Sequence, residues 1–258
     1  MQLGLVTYNL ARDWNLDKII EMCEKTGFKG VELRTTHAHG VDHTLSQAER
    51  QEVKEKFDNS SVELVGMGTA FEYHSIDEDE VRENIEGTKE YVKLTKDIGG
   101  SGVKVRPNGD QLDHGIPKEE TFKQIGEALH ECGEFAEDYG IEIRVEMHGS
   151  VSEASDMAQI MKAADHNNVK ICWNSNLVDV KDGSIAHDFE LMKDYIGMCH
   201  ITDLSREAYG EYPYRELFSK LNEINYDGFC CAEVHSPSDQ PERFMRYYKA
   251  LFDAYSKE

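Results

Sequence analysis

At 258 residues the chain is too long for a small disulfide-stapled module, and length alone fits either two ordinary domains or one α/β barrel. A formal net charge of −22 and an isoelectric point near 4.8 argue against nucleic acid or a membrane surface as partner, because both would be repelled. The opening MQLGLVTYNL is not a basic segment followed by an apolar run, and nowhere do about eighteen apolar residues run together. A soluble, non-exported, cytoplasmic protein is expected. The six cysteines show no CxxC spacing, and several sit inside apolar strand-like runs, as reduced core residues do.

In chain order, residues 3–8 form a short apolar strand candidate. Asp13 and Asn15 then offer caps for a helix with Leu16, Ile19, Ile20 and Cys23 at helical spacing and Gly27 as terminator. Residues 29–36 repeat the strand signal with Glu32 and Arg34 on one face, and a His-containing loop leads to a helix opening near Ser46. A third strand spans 62–69, a long charged helix 77–98, and a fourth strand follows Gly99 and Gly100, with Lys104 and Arg106 on one face. Pro117 starts a helix that stops at Gly140.

The fifth strand, IEIRVEMH, alternates without a break: Ile141, Ile143, Val145 and Met147 on one side, Glu142, Arg144, Glu146 and His148 on the other. Four ionisable groups on one strand face are costly in a dry interior, so that face is expected to line a wet cavity. A helix at 153–164, a strand NVKICWN, a helix at 187–195, a strand IGMCHIT, the helix PYRELFSKLNEI, a strand GFCCAEV and a last aromatic-rich helix complete the chain. Eight strand signals alternating with eight helices and no linker predict a single (β/α)8 barrel over residues 1–258, with a doubly wound sheet as the alternative.

In such a barrel catalytic groups rise from the C-terminal ends of the strands. Those ends carry Glu32, Arg34, His37 and His39; Lys104, Arg106 and Asn108; Glu146 and His148; Asn174 and Asn176; His200 and Asp203; Glu233 and His235. Ordinary barrel interiors are Val, Ile and Leu, so so many charged groups imply a polar pocket. Glu146, Asn174, His200 and Glu233 together make a plausible cation site. Buried ion pairing of Glu146 with Arg144 or Lys104 is the competing structural reading.

The segments RVEMH, ICWNSN, HITDLSR and CAEVH, in this eight-unit order, resemble the xylose-isomerase-like superfamily of sugar and sugar-phosphate isomerases and epimerases, with endonuclease IV more distant. The resemblance covers nearly the whole chain. It implies a divalent metal held by Glu146, Asn174, His200 and Glu233, two glutamates, Glu146 and Glu233, that shuttle a proton on a small polyhydroxy ketone, and Arg206 touching substrate oxygens. Lys104, Arg106, Arg34, His37, His148 and His235 are further candidates for holding the substrate. The chain departs from the family pattern at Asn174, where aspartate is usual, and at Leu177, where a histidine often stands. The lost negative charge is expected to weaken metal binding and to favour Mn or Mg over Zn. A dehydratase on the same scaffold and a non-catalytic sugar-binding barrel are the alternatives, and a homo-oligomer is compatible with the aromatic last helix. There is no GxSxG, Walker or GxGxxG motif.

Overall fold

The computed structural model describes residues 1–257. Its eight strands are β1 (Gln2–Val6), β2 (Gly30–Arg34), β3 (Glu63–Gly68), β4 (Gly102–Val105), β5 (Glu142–Glu146), β6 (Val169–Asn174), β7 (Ile196–Ile201) and β8 (Phe229–Ala232). They pair in parallel and in chain order, and β8 returns to β1 to close the barrel. Between them run α1 (Leu16–Thr26), α2 (Gln47–Asp58), α3 (Glu78–Asp97), α4 (Lys118–Glu137), α5 (Ala154–Ala164), α6 (Ala186–Met192) and α7 (Tyr214–Glu223), with α8 (Pro241–Tyr255) last. The (β/α)8 barrel expected from the alternation is therefore the fold.

Local chemistry sets the helix ends. Asn15 caps α1 by accepting from Lys18 N, and Gly27 ends it in the left-handed region at φ 81°, where a side chain would be strained. Ser46 and Glu49 form a reciprocal capping box on α2. Pro117 and Pro213 are N-caps, one residue before the first helical turn where proline was expected. All six cysteines are buried and free. No helix is long and apolar enough to cross a membrane among the described residues.

The apolar residues divide into two layers. The larger lies between strands and helices and takes the outward strand residues, such as Leu5, Val31, Ile143, Val145 and Trp173. Trp173 is fully buried there and donates to Tyr212 Oη at 3.0 Å. The smaller is a cluster of Val6, Val65, Cys172, Met198 and Cys231 inside the barrel. Interiors of this kind are usually filled by three layers of branched aliphatic side chains; here one apolar layer separates two charged ones.

The lower charged layer belongs to Arg144. Its guanidinium meets Glu142 at 2.9 Å, Val65 O at 3.0 Å and Ser101 Oγ at 3.0 Å. Gly102 makes this possible, because a Cβ there would stand 2.5 Å from Arg144 Cζ. The pairing of Glu142 with Arg144 agrees with their shared face in the sequence. The upper charged layer carries the cavity described below.

Beyond β6 a 3-10 turn, Leu177–Asp179, holds one rim of that cavity. Asp179 is only 1% exposed, and neither carboxylate oxygen has a hydrogen-bond partner. Burial first, and then the charge of Asp188, push its pKa up to about 8. A raised folded pKa means that the folded state keeps a proton the unfolded chain loses near pH 4. The stability tied to Asp179 is thus complete below about pH 4 and is lost as pH rises to about 8. Asp179→Asn should raise the melting midpoint at pH 8 by about 3 °C or more, with the gain shrinking toward pH 4. Thermal unfolding of both proteins across this range checks it; a gain that does not depend on pH would contradict the assignment.

Candidate active site

Side chains at the C-terminal ends of the strands surround a cavity of about 340 Å³, lined by Arg34, Arg106, Glu146, His148, Asn174, Arg206, Glu233 and His235 among others. The alternation that separates Val145 from Glu146 puts the first in the outer core and the second inside the barrel. The same parity brings Glu32, Lys104, Asn174, His200 and Glu233 inward from five other strands or their ends.

His200 is at the centre and has no exposed surface. Its Nε2 faces the Glu32 carboxylate at 3.3 and 3.4 Å. Its Nδ1 points between Glu146 Oε1 at 3.4 Å and Glu233 Oε2 at 3.8 Å, is buried, and has no hydrogen-bond partner. One ligand atom each from Glu146, His200 and Glu233 lies within 4.8 Å of the others. Glu32 fits because Gly68 opposite has no side chain; a Cβ there would stand 2.5 Å from Glu32 Oε1.

Glu146 uses its two oxygens differently. Oε2 accepts from the fully buried Lys104 ammonium at 2.7 Å, and Oε1 accepts from Asn174 Nδ2 at 3.3 Å. Burial alone would raise the Glu146 pKa, but the Lys104 ammonium and His200 outweigh it and hold the carboxyl well below the usual carboxylate range. Glu32 behaves alike, with His200 as the main lowering influence. Burial works against a charge on His200, yet Cys172, Glu32 and Glu233 together raise its pKa well above the usual imidazole value. An imidazole in this field is stabilised by a positive charge, supplied either by a proton or by a metal cation at Nδ1.

The donor set fits a divalent cation. Nδ1 of His200 is an orphaned buried nitrogen facing two carboxylates, and its other nitrogen is held by a third, the arrangement that fixes the tautomer of metal-binding histidines. Lys104 takes the glutamate oxygen that does not face His200. Turning the Asn174 amide over would present Oδ1 where Nδ2 now lies and add a fourth donor.

The other expected residues divide between cavity and surroundings. Arg34, Arg106, Arg206, His148 and His235 line the cavity. Arg34 lies 3.7 Å from Glu233 Oε1 and over the Tyr8 ring at 5.1 Å; Arg106 binds Glu72 at 2.6 Å. His148 Nδ1 is 2.7 Å from Asn108 Oδ1, and His235 packs edge-on against Tyr8. Lys104 and His37 do not line it. Lys104 stands one strand layer deeper than Arg106, where Glu146 captures it. His37 follows a backbone reversal at Thr36 (φ 68°), and burial and the nearby Arg34 lower its pKa to about 4. His39 is committed to the loop backbone, bonding Arg34 O and Val41 N.

Glu32, expected among the strand-end groups from its place beside Arg34 in GVELR, was assigned no role there, and the structure sets it against His200. Tyr8, Ser175 and Thr202 also line the cavity without having been singled out.

Residues 20–251 match the family described as the xylose isomerase-like TIM barrel. The chain belongs to that family. It is 24% identical over 243 residues to an inosose isomerase of Halalkalibacterium halodurans, covering 86% of this chain and 84% of the relative. Among solved structures, the Escherichia coli 3-keto-D-glucoside 4-epimerase superposes with a TM-score of 0.80 at 17% identity, over 98% of this chain and 99% of that one. The IOLI protein with a bound zinc atom gives 0.76 at 20%, over 100% and 98%.

If Glu32 orients His200, Glu32→Gln should weaken Mn²⁺ binding by roughly 10- to 100-fold, as measured by calorimetry on the purified protein. An unchanged affinity would mean that the imidazole is held by its packing alone.

Proposed function

We propose that this protein is an isomerase or epimerase that moves a proton on a carbon next to the carbonyl of a small polyhydroxy ketone. The observation that carries the reading is the convergence of Glu146 and Glu233, beside His200 Nδ1, on one cavity. Two carboxylates facing the same carbon suit proton removal by one and return by the other. The names of its relatives, an inosose isomerase and a 3-keto-D-glucoside 4-epimerase, support the same class.

Each residue has a task in this scheme. Glu146 and Glu233 are the proton carriers, one taking the proton and the other returning it. Lys104 keeps Glu146 ionised and fixes its orientation through Oε2. Glu32 fixes His200. Arg34, Arg106, Arg206, His148 and His235 hold substrate oxygens. Glu146, His200, Glu233 and Asn174 would hold a divalent cation, which polarises a carbonyl and offsets the negative charge that proton removal leaves on its oxygen. The oxygen-rich donor set favours Mn or Mg, and Asn174 in place of a carboxylate lowers the affinity.

Solvent deuterium exchange tests the scheme. Incubated in D₂O with candidate ketoses and Mn²⁺, the wild type should place deuterium next to the carbonyl. Glu146→Gln and Glu233→Gln should each slow this by about 100-fold or more. Exchange that survives both substitutions would remove these residues from the proton path.

A further inference from the structure

Arg34 and Arg106 stand at the ends of β2 and β4 and line the same cavity. They flank β3, which ends at Gly68, and the segment beyond it brings Glu72 to Arg106. Both guanidiniums are largely withdrawn from water, at 20% and 23% side-chain exposure. The Nε–H of each is fully buried and has no hydrogen-bond partner. A buried donor left unmade is costly, and on a cation more so.

The counter-charges present do not satisfy them. Arg106 spends Nη2 on Glu72 and leaves the adjacent Nε, on the same edge of the guanidinium, unused. Arg34 is 3.7 Å from Glu233, beyond hydrogen-bond distance, and its face rests on Tyr8. Glu233 is also the group assigned to proton transfer, so Arg34 cannot rely on it throughout a reaction. Each guanidinium thus keeps an unmade donor although a carboxylate lies nearby. A hydroxyl would accept one neutral bond, whereas an oxyanion can accept charge-assisted bonds along a guanidinium edge.

We propose that Arg34 and Arg106 form an oxyanion subsite, and that the substrate is an acidic polyhydroxy ketone whose carboxylate or phosphate end lies against β2 and β4 while its carbonyl end lies at Glu146 and Glu233. This rests on the proton-transfer reading for the placement of the carbonyl end only.

Three probes matched except at C6 test it: D-fructose, D-fructuronate and D-fructose 6-phosphate, titrated calorimetrically into the purified protein with Mn²⁺ present. At least one anion should bind 10-fold or more tightly than D-fructose, and the tighter of the two tells carboxylate from phosphate. That preference should fall roughly 10- to 100-fold in Arg34→Gln and in Arg106→Gln. Arg34→Lys and Arg106→Lys should keep part of it, and circular dichroism must show all four variants folded. Equal binding of the three probes, no binding of either anion, or a preference unchanged in both Gln variants overturns the proposal. Deuterium exchange in the same samples separates the two readings. Arginine-dependent anion binding without exchange would sink proton transfer and leave the subsite. Exchange on D-fructose, with no preference for the anions, would do the reverse.

Discussion

A histidine without solvent contact, set among three glutamates and one step from a buried lysine, is the constraint around which the inside of this barrel is arranged. Charges withdrawn from water to this degree are tolerated only when each finds an opposite charge or a hydrogen bond. Lys104 answers Glu146, Glu32 answers His200, and Arg34 stands near Glu233. The atoms left without a hydrogen-bond partner include Oε1 of Glu32, Nε of Arg34 and Nδ1 of His200, the last lying between Glu146 and Glu233. A fully paired network would be a structural core; this one leaves polar atoms unpaired around His200 and Arg34.

The support below is arranged to match. A single apolar layer, Val6, Val65, Cys172, Met198 and Cys231, isolates the upper network from the Arg144 and Glu142 pair. Without it the two charged layers would share water and lose the low dielectric that fixes their pairing. Two glycines provide space where a side chain must cross the barrel, Gly102 beneath Arg144 and Gly68 beside Glu32.

Much of this was legible in the sequence because parallel strands buried on one side only by helices keep a strict alternation. IEIRVEMH assigned Glu146 inward and Val145 outward, and the structure keeps that parity. The eight-unit order yielded the barrel. What the sequence could not provide was depth: Lys104 and Arg106 share a face, but only the closed barrel shows that the first is buried against Glu146 and the second reaches the cavity. The role of Glu32 was hidden for a similar reason, since its partner lies 168 residues away on β7. Loop courses were equally hidden, as His37 and His39 show, because backbone reversals after β2 depend on contacts that no local pattern records.

The account turns on whether Glu146, His200 and Glu233 hold a divalent ion with Asn174 as a weaker fourth donor. Anomalous diffraction at the manganese edge, from crystals of the wild type and of Asn174→Asp grown with Mn²⁺, tests this directly. The account predicts one ion between these side chains in both proteins, at lower occupancy in the wild type, with Lys104 still bound to the other oxygen of Glu146. Manganese found there only in Asn174→Asp, or bound elsewhere in the wild type, would contradict it.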